Sequence, residues 1–228
     1  GGNSVADVLS GKASPSGKLT MTFPVKFEDA ASSANFPIDM RVSTDLVNKG
    51  EKKNDVKNVD YTDYEEDIYV GYRYFDTFGK QVSYPFGYGL SYATFAYDKA
   101  AVKADNGVYT VSVEVKNTGK VAGKEVVQLY VRDLLSSVTT YEKNLEGFER
   151  IHLQPGETKE VSFTLDRKAL ELLNAKNDWV VEPGDFSIML GASSEDIRLT
   201  GTLTVKEHGS IDMEKAKTDN PVSASTNM

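Results

Sequence analysis

The stretch VSVEVKNTG, residues 111–119, decides the fold class of this chain. Its valines at 111, 113 and 115 alternate with polar residues, and a period of two is typical of a β-strand with one buried face. Asn117-Thr118-Gly119 then supplies turn residues that end the strand. We therefore expect an all-β unit around this stretch.

Further strand patterns follow at regular intervals on both sides of it. Residues 125–132 form a nearly continuous apolar run, which indicates a central strand. Pro155-Gly156 and Pro183-Gly184 each precede another alternating run, and residues 197–205 supply the last. About seven strands with turn signals every 8–12 residues or so predict an immunoglobulin-like β-sandwich over residues 93–205.

Two features inside the predicted sandwich are less regular. The stretch RKALELLN, residues 167–174, predicts one or two helical turns. Trp179 is the single tryptophan of the chain, and we expect it to pack in the core or at its rim. Beyond residue 205 the chain is polar, and we expect residues 206–228 to be a disordered tail.

The N-terminal residues read differently from the sandwich. Val5, Val8 and Leu9 recur at helical spacing, with Asn3 or Ser4 as a possible cap. After a turn, residues 19–23 alternate as a strand. One helix and one strand cannot close a core of their own. Residues 1–24 are therefore expected to be the last piece of a larger α/β domain.

Residues 25–92 are expected to form a long extended linker whose second half is rich in aromatic side chains. Thirteen of the 23 aromatic residues of the chain lie between residues 61 and 97, among glycines that exclude a long helix. Such a strip suits interdomain packing, with sugar stacking as the alternative. We predict that Tyr72, Arg73, Tyr74 and Phe75 form a docking surface between the sandwich and the α/β domain.

The composition excludes several classes of function. A net charge of −8 is the wrong sign for binding a nucleic-acid backbone, and no apolar run reaches the ~20 residues of a membrane-spanning helix. The chain has no cysteine and only two histidines, so disulfide scaffolds and thiolate or all-histidine metal sites are excluded. We expect no metal and no cofactor.

No catalytic constellation stands out among the side chains. The chain has 34 acidic residues, so a plausible pair of carboxylates carries no weight without geometry. His152 lies beside a predicted strand, where a solvent-facing or satisfied histidine is expected. Gly87-Tyr88-Gly89 has the glycines of a phosphate loop without a following helix. We therefore assign no residue of this chain a catalytic role.

Several strings carry a resemblance to a known family. They are VLSG (8–11), PSGKL (15–19), TFP (22–24), DIYVGYRYFD (67–76), YPFGYGLSY (84–92), KNTG (116–119), EVVQLYV (125–131), LEGF (145–148), PGE (155–157) and WVVEPG (179–184). In this order they resemble the end of the second domain, the linker and the fibronectin type III-like third domain of glycoside hydrolase family 3, the β-glucosidase and β-xylosidase family.

This resemblance implies a function for a parent protein. Family members carry a nucleophilic Asp on an N-terminal barrel and an acid/base Glu in the middle domain, and both would precede Gly1. The chain would be the C-terminal part of a retaining β-glucosidase-like exo-hydrolase. Its partners would be the upstream barrel and α/β domains, and a β-linked oligosaccharide through the parent enzyme. The resemblance favours a periplasmic or secreted bacterial protein.

An alternative stays open at this point. The chain could be a non-catalytic module that binds carbohydrate or another protein through exposed tyrosines. The burial of Tyr72, Tyr74 and Tyr88 discriminates between the two, because rings packed against protein favour docking and coplanar rings on a groove favour sugar binding.

Overall fold

The computed structural model describes residues 1–34, 64–105 and 108–205. The polar half of the predicted linker, residues 35–63, and the predicted tail, residues 206–228, lie outside the described residues. The described N-terminal elements are helix α1 (Gly2–Leu9), strand β1 (Phe23–Pro24), two 3₁₀ helices (Phe27–Asp29 and Ala31–Ala34), helix α2 (Tyr72–Thr77) and strand β2 (Val82–Tyr84).

A mainly β architecture with a two-sheet sandwich follows these elements, as the alternating patterns predict. Its strands are β3 (Phe95–Asp105), β4 (Val108–Asn117), β5 (Gly123–Asp133), β6 (Asn144–Leu153), β7 (Thr158–Leu165), β10 (Gly184–Gly191) and β11 (Ile197–Val205). One sheet has the order β3-β4-β7 and the other the order β11-β10-β5-β6. Every pairing within the two sheets is antiparallel.

The core lies between these sheets because each contributes one apolar face. Val111, Val113 and Val115 of β4 are fully buried, and Leu129 and Ile188 from the facing sheet are almost completely buried. Each fully buried aliphatic side chain of this kind contributes roughly 1.5–3 kcal/mol relative to an exposed one. The described core cluster lies entirely within residues 97–205.

The side chain of the turn residue Asn117 stabilises the end of β4 through hydrogen bonds. Its side chain is fully buried. The amide nitrogen donates to the carbonyls of Val121 at 2.8 Å and Leu153 at 3.1 Å, while the amide oxygen accepts from Gly119 N at 2.9 Å. All of its polar atoms are therefore satisfied, as burial of an amide requires.

Helix α1 forms where the apolar spacing predicts it, but its cap differs. The N-cap is Gly1 and makes no side-chain hydrogen bond, so neither Asn3 nor Ser4 has the predicted role. The strand expected over residues 19–23 is also wrong in extent, because β1 contains only Phe23 and Pro24. Leu19 instead pairs with a distant turn, accepting from Gly87 N and donating to Tyr88 O, both at 2.8 Å.

The stretch at 167–174 forms a 3₁₀ turn followed by a strand. Residues Arg167–Ala169 form the turn, where the Asp166 carboxylate accepts from Lys168 N at 2.9 Å. Strand β8 (Leu172–Leu173) then pairs with β9 (Trp179–Val180) as a hairpin. The predicted helix stops early because Asn174 Oδ1 accepts from the amides of Lys176 and Asp178 and closes the hairpin turn.

Candidate interdomain site

Helix α2 carries the aromatic residues of the predicted docking surface. Gly71 precedes the helix with φ of 59°, a left-handed conformation that glycine adopts without steric cost. Phe75 is buried. The helix lies against the start of β6 and the residues just before it, where side chains from both segments meet.

Tyr72 places its ring and its hydroxyl against the sandwich. Its ring stacks on Phe86 with 4.8 Å between centroids and meets the Tyr130 ring edge-on at 6.0 Å. The hydroxyl accepts from Leu145 N at 2.9 Å and lies 3.4 Å from Asn144 Oδ1, to which it donates. Burial raises the pKa of Tyr72 above its ordinary value, with the Leu145 amide and Arg73 opposing the shift.

Arg73 makes a second group of contacts with the same strand end. Its guanidinium lies over the Tyr141 ring, with 4.4 Å between Cζ and the centroid, and Nη2 donates to Asn144 Oδ1. A cation over an aromatic face is favourable by about 0.5–2 kcal/mol, more when water is excluded. Nε of Arg73 is buried and has no hydrogen-bond partner among the described residues.

An ion pair at the end of α2 strengthens the contact. Lys143 Nζ lies 3.2 Å from Asp76 Oδ2, and the two side chains are only 13% and 6% exposed. Burial raises the pKa of Asp76, and the nearby Lys143 ammonium opposes this rise. Thr77 Oγ1 accepts from Glu142 N at 3.0 Å. Asp76 and Thr77 at the end of α2 thus bind Lys143 and Glu142, the two residues that precede β6.

The predicted docking residues do not all face the same way. Tyr72 and Arg73 contact the sandwich, whereas Tyr74 contacts Phe75 and Phe78 of its own segment, at 5.2 and 5.3 Å between ring centroids. Sequence reasoning missed the partners of α2 on the sandwich, Asn144 and Lys143. No periodicity links a linker helix to a strand end some 70 residues later, although Asn144 directly precedes the string LEGF.

Tyr72, Tyr74 and Tyr88, whose burial discriminates between docking and sugar binding, are half-buried. Their rings do not lie coplanar on a groove. Tyr72 packs between Phe86 and Tyr130. Tyr74 is tilted 54° from Phe78, and Tyr88 is tilted 44° from Tyr84. These arrangements favour packing against protein over a flat face for a sugar ring.

A second junction holds the N-terminal residues to the sandwich. Lys18 Nζ lies 3.0 Å from Glu125 Oε1 and donates to Ala192 O at 3.0 Å. Gln128 is buried beside it and donates to the same Ala192 carbonyl at 2.9 Å. Polar contacts in a largely buried setting therefore join residues near the start of the chain to β5 and to the turn after β10.

The exposed apolar side chains are concentrated in the first 92 residues. Among the described residues, twelve of the nineteen large exposed hydrophobic side chains lie there: Val5, Leu9, Met21, Phe23, Val25, Phe27, Tyr64, Val70, Phe78, Tyr84, Leu90 and Tyr92. None of the residues 1–33 is buried. Exposed apolar side chains that lie together are typical of a surface that binds a partner, and Phe23 and Tyr84, with 6.4 Å between their ring centroids, are such a pair.

Neither a metal centre nor a membrane-spanning helix is found in the part of the chain that the structure describes. No cluster of three or more His, Asp or Glu side chains with metal-binding geometry occurs in residues 1–34, 64–105 and 108–205. Over the same ranges, no helix combines the length and hydropathy needed to cross a bilayer.

Residues 1–92 match the glycosyl hydrolase family 3 C-terminal domain, and residues 125–194 match the fibronectin type III-like domain. The chain belongs to glycosyl hydrolase family 3. It comprises C-terminal domains of that family, as the strings in the sequence indicate.

Longer family 3 proteins contain a region similar to this chain. Thermostable beta-glucosidase B of Acetivibrio thermocellus is 47% identical over 209 residues, which are 90% of this chain and 25% of that protein. A beta-xylosidase of Formosa agariphila is 44% identical over 90% of the chain and 25% of its own length. The chain therefore spans about a quarter of the length of these relatives.

Solved structures of family 3 proteins show the same arrangement. Beta-glucosidase 3B of Thermotoga neapolitana in complex with alpha-D-glucose is 40% identical, with a TM-score of 0.78 over 90% of this chain and 26% of that protein. Beta-glucosidase of Kluyveromyces marxianus in complex with glucose is 39% identical, with a TM-score of 0.77 over 91% of this chain and 23% of its own.

Proposed function

We propose that this chain is the C-terminal structural part of a retaining β-glucosidase-like exo-glycoside hydrolase and that it braces the catalytic domains preceding it in the parent protein. The uncovered apolar side chains of the first 92 residues carry this proposal. They lie on segments that are themselves fixed to the sandwich by the Tyr72, Arg73 and Lys18 contacts. The partner surface is the rest of the α/β domain.

The proposed division of the chain follows from this arrangement. Residues 1–24 end the α/β domain, residues 25–92 form the linker with the docking helix, and residues 93–205 form the bracing sandwich. Helix α2 would be held between the sandwich and the α/β domain, with Tyr72 and Arg73 on the sandwich side. Tyr74 and Phe78, which is 51% exposed, would extend its contact toward the partner domain.

The chemistry would reside in the parent protein. A retaining hydrolase uses a carboxylate nucleophile and a second carboxyl group that acts first as acid and then as base. From the family resemblance we infer that both lie upstream of Gly1, on the barrel and in the α/β domain of the parent. A β-linked oligosaccharide would be the substrate of the parent, and the relatives that bear the names β-glucosidase and β-xylosidase support this class.

Thermal unfolding and kinetics of the parent protein test the bracing role together. Replacing Tyr72 and Tyr74 by Ala should cost roughly 2–4 kcal/mol of packing and lower the thermal midpoint by several degrees. The KM for substrate should stay unchanged at temperatures where the protein remains folded. Phe148→Ala is a matched control, because Phe148 is 68% exposed on β6 and its loss should leave the midpoint unchanged.

The opposite pattern would favour the carbohydrate-binding alternative. An unchanged midpoint with KM raised about tenfold would mean that the tyrosines contact sugar rather than protein, a difference of about 1.4 kcal/mol in binding. The packing of Tyr72 between Phe86 and Tyr130 supports the first outcome.

A further inference from the structure

A cavity of about 430 Å³ opens at the edge of the sandwich. It lies between the loop that follows β5 (residues 134–143) and the β8–β9 hairpin, and its wall includes Tyr141, Asn144, Glu146 and Trp179. Pockets for small ligands typically enclose about 300–1,000 Å³. The cavity is therefore large enough for a ligand, and all of its wall residues except Ile68 belong to the sandwich.

Trp179 is held at this cavity with its side chain exposed. Its side chain is 60% exposed, an unusual state for the largest apolar side chain. The backbone around it is fixed, since Leu173 pairs with Trp179 across the hairpin and Arg167 Nη2 donates to Trp179 O at 2.9 Å. The fold thus presents an indole on a rigid support.

The hairpin turn adds to this rigidity. Asn174 Oδ1 accepts from Lys176 N at 2.8 Å and Asp178 N at 3.1 Å, and Asn174 N donates to Asp178 O at 3.0 Å. A loop tied by three hydrogen bonds loses little conformational entropy when a ligand binds. The backbone that carries the indole is therefore held in place before any ligand arrives.

Charged side chains of both signs line the cavity wall, Arg132 and Lys168 against Asp133, Glu146 and Glu171, and several of them have polar partners nearby. Arg132 Nη1 lies 2.5 Å from Glu142 Oε1, Asn144 Nδ2 donates to Glu146 Oε1 at 2.6 Å, and Glu171 pairs with Arg167 at 3.2 Å. Burial of an unbalanced charge would be costly for any ionic ligand entering here. The wall suits a neutral ligand with many hydroxyl groups.

We propose that this cavity is a subsite for a short neutral oligosaccharide, with one pyranose ring stacked on Trp179. A pyranose has an apolar C–H face and a polar rim, and the cavity wall offers the Trp179 indole together with the carboxylate of Glu146 and the hydroxyl groups of Thr139 and Thr140. The choice of saccharide rests on the proposed role in glycoside hydrolysis. The subsite would hold substrate near the parent enzyme without taking part in bond cleavage.

Intrinsic fluorescence tests this proposal directly, because Trp179 is the only tryptophan of the chain. Titrating the 228-residue chain with cellotetraose or xylotetraose should shift Trp179 emission saturably and reduce its quenching by acrylamide. The expected dissociation constant is on the order of 1 mM or tighter. If Trp179 emission and its quenching by acrylamide stay unchanged at tetrasaccharide concentrations several times this dissociation constant, the proposal is overturned.

Calorimetric titration of variants provides the second measurement. Trp179→Ala should weaken tetrasaccharide binding at least tenfold without lowering the thermal midpoint, because the side chain is mostly exposed. Phe148→Ala removes an exposed aromatic ring outside the cavity and should bind like the original chain. Equal affinity of the Trp179→Ala variant, or equal losses in both variants, would refute the subsite.

This result is distinguishable from failure of the bracing role. The titration needs neither catalysis nor the upstream domains, so absence of binding would leave the bracing proposal intact. Conversely, a parent enzyme whose stability does not depend on Tyr72 and Tyr74 would leave a measured Trp179 site intact.

Discussion

The ammonium group of Lys18 lies 3.0 Å from a carboxylate oxygen of Glu125, although the two residues belong to opposite parts of the chain. Lys18 precedes β1, whereas Glu125 lies on β5 of the sandwich. Their side chains are 18% and 8% exposed, so the pair is largely shielded from water. This contact holds the N-terminal segment in a defined position on the sandwich.

We predict that Lys18→Met destabilises the chain strongly. Removing one partner of a buried ion pair leaves the other charge without compensation, which costs about 3 kcal/mol. Urea unfolding should show this as a lower midpoint. Lys99→Met is the control, because its ion pair with Glu114 is exposed, with 67% of the Lys99 side chain accessible, and the midpoint should not change. Equal effects of the two substitutions would contradict the prediction.

We predict that the 228-residue chain hydrolyses no aryl β-glucoside above background. Retaining hydrolysis requires two carboxyl groups about 5–5.5 Å apart that flank the scissile bond, and we infer from the family resemblance that both belong to the parent's upstream domains. Release of the aryl alcohol from the purified chain measures this. Robust turnover that a point substitution within residues 1–228 abolishes would show the prediction to be wrong.

The sandwich could be predicted from the sequence because the signals for its strands and turns come from residues that are neighbours along the chain. The alternation of Val111, Val113 and Val115 indicates which face of β4 is buried, and Asn117 indicates where the strand ends. Two-residue periodicity and turn chemistry depend on neighbours along the chain. The same local signals located α1 correctly.

The contacts of the candidate site could not be predicted because they join distant residues. Nothing near Tyr72 indicates that its hydroxyl accepts from Leu145 N, and nothing near Lys18 points to Glu125. The helical turns expected over residues 167–174 end after Ala169 for a related reason, since Leu172 and Leu173 obtain strand partners from residues 179–180. Tertiary pairing there overrides local propensity.

We predict that residues 93–205 fold without the rest of the chain. The described core cluster lies wholly within residues 97–205. Removal of the first 92 residues takes Tyr72 away from Tyr130 and Gly87 away from Gln128, but neither of these sandwich residues belongs to that cluster. The isolated segment should unfold in one cooperative transition during a denaturant titration. Residues 1–92 alone should show no such transition, and a cooperative transition for them would contradict the assignment.

We predict a pH-dependent effect of Glu146→Gln on stability. Burial raises the pKa of Glu146 above its ordinary value of 4.5, although Asn144 and Arg73 oppose the shift. The folded state therefore holds this proton more tightly than the unfolded state. The stabilisation that results is present at low pH and is lost as the pH rises through the raised pKa.

The free energy of unfolding of the Glu146→Gln variant should thus increase relative to the original chain between about pH 3 and about pH 7. Urea titrations at several pH values measure this difference. Glu149→Gln, an exposed position on the same strand, controls for loss of one negative charge. If this difference in unfolding free energy fell as the pH rose, folding would lower the pKa of Glu146 instead of raising it, and the prediction would be wrong.

We predict that Gly87→Ala destabilises the chain more than Gly156→Ala. Both glycines have positive φ, 80° and 77° respectively, so an alanine costs about 1 kcal/mol of backbone strain at either position. A Cβ at Gly156 would meet no atom within 4 Å, whereas a Cβ at Gly87 would lie 2.8 Å from Cδ of Gln128 and closer to its amide atoms.

Gln128 cannot move aside easily. It is 3% exposed, donates to Ala192 O at 2.9 Å and accepts from the Tyr130 hydroxyl at 2.5 Å. Gly87→Ala should therefore cost a further 1–3 kcal/mol or so for overpacking and should loosen the Leu19 contact with Gly87 N. Urea midpoints of the two variants measure the difference, and faster proteolysis near Leu19 in Gly87→Ala should accompany it. Equal midpoints would mean that the junction between the N-terminal segment and the sandwich is not packed as tightly as these distances require.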